Sequence, residues 1–141
     1  FFCQSKRYKE GLIKFDEAIK NPLYRAPEAA HTNAGICALQ AQDRALAEQH
    51  FRNALQIAPK MPQALLAMSE LSYAGTNYLP ARAYYQRYLT VGQQNARTLW
   101  LGIRIERNLN DRDAVASYVL ALKNNFPDSP EYDLYQQGKF D

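Results

Sequence analysis

Four times along the chain, a helix-length stretch sets a small residue, an aromatic residue four positions later and a further residue three beyond that. The sets are Gly11, Phe15 and Ala18; Ala47, Phe51 and Ala54; Ala81, Tyr85 and Tyr88; and Ala114, Tyr118 and Ala121. Steps of four and three keep each set on one helical face. From Phe15 to Phe51, to Tyr85 and to Tyr118 the spacings are 36, 34 and 33 residues. A period of that length restricts the fold more than any other feature. Each unit is one supersecondary element that cannot bury its own apolar face, so successive units must stack and share a core. The best-formed copy, Ala47 to Pro59, stops at a proline, which offers no N–H and disfavours helix in the residue before it.

The remaining residues fall between these helices as their partners. Residues 1–5 read as the last turn of a helix, and Tyr8 to Lys20 as the next, closed by Asn21-Pro22. Helices are then expected from Pro27 or Glu28 to Ala41, from an N-cap at Asp43 to Ala58, and from Met61 or Pro62 to Ala74. The next runs from Ala81 to Val91, with Pro80 in its opening turn and Gly92 as its stop; Gln94 or Asn95 to Leu109 and Asp111 to about Asn125 follow. Ser129 and Pro130 open a short capping helix reaching Gln137. A small-x3-aromatic helix at this period is the sign of a tetratricopeptide-type repeat. The expected fold is all-α: a right-handed superhelical solenoid of helix pairs forming one domain over residues 1–141. It comprises a partial repeat over 1–24, repeats over about 28–61, 62–94 and 95–128, and a cap over 129–137. The opening Phe1-Phe2-Cys3-Gln4 and the missing first helix point to a piece of a longer protein.

Charge and composition remove several functional classes. Lys and Arg number 17 against 14 Asp and Glu, and the basic residues do not cluster. The longest basic region, Arg104 to Arg112, is interrupted by Glu106 and Asp111, the pattern of a solvated helix face and loop and not of a phosphate-binding stripe. Nucleic acid is not expected as a partner. No stretch approaches the ~20 apolar residues that span a bilayer.

Catalytic and cofactor chemistry find no support. His31 and Cys37 stand six residues apart, about 240° around a helix of 3.6 residues per turn, so they form no dyad. His50 lies opposite the Ala47, Phe51 and Ala54 stripe, where solvent exposure is expected. No Cys and His spacing matches a zinc site, and no glycine-rich loop precedes a lysine. The expectation is a non-enzyme with no metal and no cofactor. Cys3 and Cys37 sit near the ends of the first helices of successive repeats. A disulfide between them, which would persist in an oxidising compartment such as the periplasm, stands at even odds with two buried thiols.

In a solenoid of helix pairs, the binding surface is usually the concave face lined by the first helices. The face alternate to the core holds Thr32, Ile36 and Leu39, then Leu66, Glu70 and Tyr73, then Leu99, Ile103 and Glu106. Each trio follows i, i+4, i+7, one stripe per helix. Six of these nine side chains are apolar or aromatic, which suits an amphipathic helix or an extended peptide; the alternative is that a neighbouring repeat or the terminal helix covers some of them. Trp100 is expected between repeats, and Tyr85 and Tyr88 in the core.

Particular stretches go further than the period. Arg7-Tyr8-Lys9-Glu10 with Asn21-Pro22-Leu23-Tyr24, Asn33-Ala34-Gly35 with Cys37, Tyr78-x-Pro80-Ala81-Arg82, and above all Gln94 to Arg104 (QNARTLWLGIR) carry a resemblance. With Asp111-Arg112-Asp113 and Phe126-Pro127-x-Ser129-x-Glu131-Tyr132, the chain is similar to the type IV pilus biogenesis and stability lipoproteins of the PilF/PilW kind. The resemblance implies a pilotin at the periplasmic face of the outer membrane, which helps the pilus secretin reach that membrane and multimerise. The family's lipid-bearing cysteine would lie upstream of Phe1; Cys3, inside a repeat, is not that residue. The other reading is a tetratricopeptide scaffold for a different cell-envelope complex. Chaperone adaptors that clamp an acidic C-terminus line their groove with Lys, Asn and Arg, whereas Thr32, Ile36 and Leu66 stand here.

Overall fold

The computed structural model describes residues 27–141. Among these residues there are seven helices and no strand: α1 (Pro27–Gln40), α2 (Arg44–Ile57), α3 (Pro62–Ala74), α4 (Tyr78–Leu89), α5 (Ala96–Asn108), α6 (Arg112–Asn125) and α7 (Pro130–Gln136). The all-α class and its tetratricopeptide-type helix pairs are therefore as the period requires. The chain divides into two compact units, Phe1–Leu71 and Ser72–Asp141.

The turns inside the helix pairs repeat as faithfully as the stripes. Gln42, Thr76 and Asn110 take φ of 62°, 63° and 60°, the left-handed region. Each is followed by a residue whose N–H reaches back into the helix just ended: Asp43 to Ala38 at 2.8 Å, Asn77 to Ser72 at 2.8 Å and Asp111 to Glu106 at 3.0 Å. The left-handed residue itself bonds three positions back, to Leu39, Tyr73 and Arg107. These are Schellman motifs, which satisfy carbonyls that the helix end would leave without partners. Two of the residues that close one helix also cap the next. Asp43 accepts from the Leu46 N–H and Asp111 from the Ala114 N–H, both at 3.1 Å. Asn95 and Thr98 form a reciprocal capping box at the start of α5, and the Ser129 hydroxyl caps α7 through the Tyr132 N–H.

Packing in the first unit centres on the contact of α1 with α2. Ala47, Phe51 and Ala54 are fully buried. A Cβ added at Gly35 would stand 2.7 Å from the Phe51 ring, so only glycine lets that ring lie on the α1 backbone. In the second unit, Gly102 of α5 receives Tyr85 of α4 in the same manner, with an added Cβ 2.7 Å from the phenol oxygen. The Tyr85 hydroxyl donates to the Thr98 carbonyl at 2.8 Å, and its ring meets Tyr118 of α6 edge-on at 5.7 Å. Burial pushes the Tyr85 phenol well above its ordinary pKa, against a smaller opposing pull from a hydrogen bond with Gln94.

Both bounds of α4 differ from the expected Ala81 to Val91. α4 starts at Tyr78 and ends at Leu89, and Gly92 does not act as a conformational stop. A Cβ there would run into the Tyr88 ring, whose hydroxyl donates to the Gln93 carbonyl at 2.6 Å. The glycine makes room for a side chain that folds back over the helix end.

Candidate functional site

The first-helix stripe separates into open and closed members. On α1, Thr32 is buried: its hydroxyl donates to the Glu28 carbonyl at 2.8 Å and lies 3.1 Å from the Met61 sulfur. Ile36, one turn on, is 41% exposed although the residues on either side of it are buried, and Leu39 is half-buried. On α3, Leu66 and Glu70, in the first unit, and Tyr73, in the second, are all half-buried. Tyr73 keeps the Tyr78 ring at 5.7 Å and the Arg104 guanidinium at 5.0 Å from its ring centre. Burial raises the pKa of its phenol, and Arg104 pulls the other way.

On α5 the stripe points inward. Leu99 and Ile103, expected in the groove, form a core cluster with Trp100 and Leu122, and Ile103 has no exposed surface. Val119 of α6, Tyr132 and Leu134 of α7 and Phe140 of the tail pack against that cluster. α7 and the tail cover this face of α5. Periodicity showed that these residues share a face but could not show that something covers it.

Glu106, also expected in the groove, is only 3% exposed. Arg82 of α4 holds it with a two-pronged fork, Nε lying 3.1 and 3.0 Å from the two carboxylate oxygens and the terminal nitrogen bonding Oε1. Asp111 lies 3.8 Å from the same guanidinium. Donating these hydrogen bonds to Glu106 raises the Arg82 pKa above its ordinary value. Next to this pair, burial and then the Glu106 charge raise the pKa of the Tyr118 phenol. A buried carboxylate needs its cation and a full set of hydrogen bonds, and Arg is the side chain whose fork supplies both. Arg82 is 24 positions from Glu106, and no local pattern links the two.

His50 is not a free surface residue. Its Nδ1 lies 3.1 Å from Nδ1 of buried His31, one ring nitrogen donating and the other accepting. The sequence reading placed these histidines on separate helices and did not bring them together. Among the described residues, no group of three or more His, Cys, Asp and Glu could hold a metal ion. Cys37 is buried and takes part in a disulfide; Cys3, the other residue of the expected pair, lies outside the described residues. No described helix is long and apolar enough to cross a membrane.

The second unit also contains a cavity of about 590 Å³. It lies between the end of α5, the outer face of α6 and the tail, with Val115, Val119, Leu120 and Phe140 among its walls. Sequence reasoning missed it, because only the path of the tail after Gly138 makes Phe140 a wall.

No family model matches the chain. The type IV pilus assembly protein PilF of Pseudomonas aeruginosa is 38% identical over 139 residues, 99% of this chain and 55% of that protein. The chain resembles PilF and PilW along nearly its whole length. The solved structure "Functional Characterization of Pseudomonas Aeruginosa pilF" superposes with a TM-score of 0.89 at 38% identity, covering 99% of this chain and 63% of that one. "Crystal structure of PilW, widely conserved type IV pilus biogenesis factor" superposes at 0.85 with 29% identity, covering 96% and 63%. The chain thus spans about half the length of the curated relative it matches.

Proposed function

We propose that this protein is a non-catalytic binding module of type IV pilus biogenesis. In this reading it acts as a pilotin in the cell envelope, at the periplasmic face of the outer membrane, and assists the localisation and multimerisation of the pilus secretin. Its similarity to PilF over 99% of the chain carries the reading. In the first unit, the open residues Ile36, Leu39 and Leu66, with Glu70 at the edge, are the proposed contact for a segment of the secretin. Ile36 is the anchor, because a large apolar side chain left 41% exposed on an otherwise well-buried helix loses water when a partner covers it. The buried members Thr32, Leu99, Ile103 and Glu106 shape and support the fold and are not part of this contact.

The test is a pull-down from envelope extracts with the intact parent protein. Recovery of the secretin, reduced about tenfold by Ile36→Glu or Leu66→Glu with helicity unchanged, is the expected result. Consistent absence of the secretin alongside other envelope proteins would replace the pilotin reading with that of a general scaffold.

A further inference from the structure

The cavity beside α6 is built from residues of the second unit alone, and the contact proposed above from residues of the first. α7 has seven residues against fourteen in α6, about 10 Å against 21 Å at 1.5 Å per residue. The cavity opens where α7 has ended: Tyr135 is its last helical contribution, and the tail returns Phe140 to the wall after Gly138 turns through φ 70°. Phe140 is fixed there by stacking on Trp100 at 5.5 Å and by an edge contact with Tyr135. The floor is the apolar face of α6, from Val115 to Leu120, and Leu120 is 58% exposed.

The charge around this floor has one sign to spare. Three cations line it: Arg107, Arg112 and Lys123. Arg107 is laid over Phe140, its guanidinium 3.9 Å from the ring centre, and no ion pair is formed by Arg112 or Lys123 among the described residues. The two carboxylates of the lining, Glu106 and Asp111, both turn to Arg82. An apolar floor with unneutralised cations at its rim selects for apolar side chains flanked by carboxylates.

We infer that this cavity docks a short amphipathic, acidic helix of a partner protein, with its apolar side chains on Val115, Val119 and Leu120 and its carboxylates at Arg107, Arg112 and Lys123. The concave form favours a helix over a lipid surface, since a bilayer cannot fill a pocket bounded by Phe140 and Tyr135. This surface is independent of Ile36, so the two sites fail separately.

The probe is a fluorescein-labelled helical peptide with leucine at every third or fourth position and flanking glutamates, titrated against the whole chain by fluorescence anisotropy. Binding is expected, and it should weaken about tenfold for Leu120→Asp and severalfold for Lys123→Glu or Arg112→Glu. These residues are exposed, and circular dichroism of each variant checks the fold. Added salt and a peptide with lysine replacing glutamate should weaken binding similarly, while Ile36→Glu should leave it unchanged. Equal binding of acidic and basic peptides, or no effect of the three substitutions, would overturn the assignment. So would binding of phosphatidylglycerol vesicles in place of the peptide.

Discussion

Removing Arg82 alone should cost far more than removing it together with Glu106. The Glu106 side chain is 5% exposed and the Arg82 side chain 28%, so the carboxylate is the desolvated partner and the guanidinium still touches water. Arg82→Met keeps most of the stem packing but leaves a buried carboxylate with neither its cation nor the fork of hydrogen bonds. Breaking a buried pair in this way costs ~3–5 kcal/mol, and the partial exposure of Arg82 sets the expectation near the lower end, about 3 kcal/mol. For a chain of this length, that lowers the midpoint of thermal unfolding by about 10 °C. Arg82→Met with Glu106→Leu removes both charges and fills the site with apolar volume, which is often neutral, so the double variant should recover to within about 1 kcal/mol of the parent. Urea unfolding followed by circular dichroism gives the cycle. A loss below about 1 kcal/mol for the single variant would mean that the pair behaves like a solvated surface pair. A double variant as unstable as the single one would place the cost in lost packing and not in stranded charge.

Two further outcomes follow from the turns and the buried phenols. Thr76 is β-branched yet holds φ 63° at the end of α3, so Thr76→Gly should raise stability by about 1 kcal/mol in urea unfolding, and no change would mean that the turn relaxes without strain. Burial raises the pKa of Tyr85, Tyr118 and Tyr73, so their contribution is fully present below the unfolded value of about 10 and is lost as pH rises through it towards the folded values. Alkaline unfolding should therefore steepen above about pH 10, and Tyr85→Phe should reduce that slope. A slope unchanged by the substitution would show that Tyr85 ionises equally in both states.

The stripes, the helix order and several caps were legible because they depend on neighbours along the chain. Asp43, Asp111 and Ser129 cap where a short acceptor precedes an apolar-periodic run. Gly35 could be read as a close approach, although the ring it meets, Phe51, belongs to the other helix of the pair. Gly92 marks a helix end in the sequence, but only the folded chain shows that its place serves the Tyr88 ring and not a positive φ. The surface stripe was legible as a set of positions and not as a surface. Ile36 and Ile103 share the same periodic logic, yet one is open and the other has no exposure.

What the sequence determined by itself was therefore the repeat: its period, its helices, the small and aromatic residues that set their spacing, and the resemblance carried by Gln94 to Arg104. These depend on spacing along one chain, which sequence states directly. The tertiary structure decided which periodic faces meet solvent. It sent Leu99 and Ile103 under the terminal helix and tail, turned Glu106 to Arg82, joined His31 to His50 and left the α6 floor open beside Phe140. Exposure and pairing are relations between residues far apart in sequence, and they exist only once helices have packed.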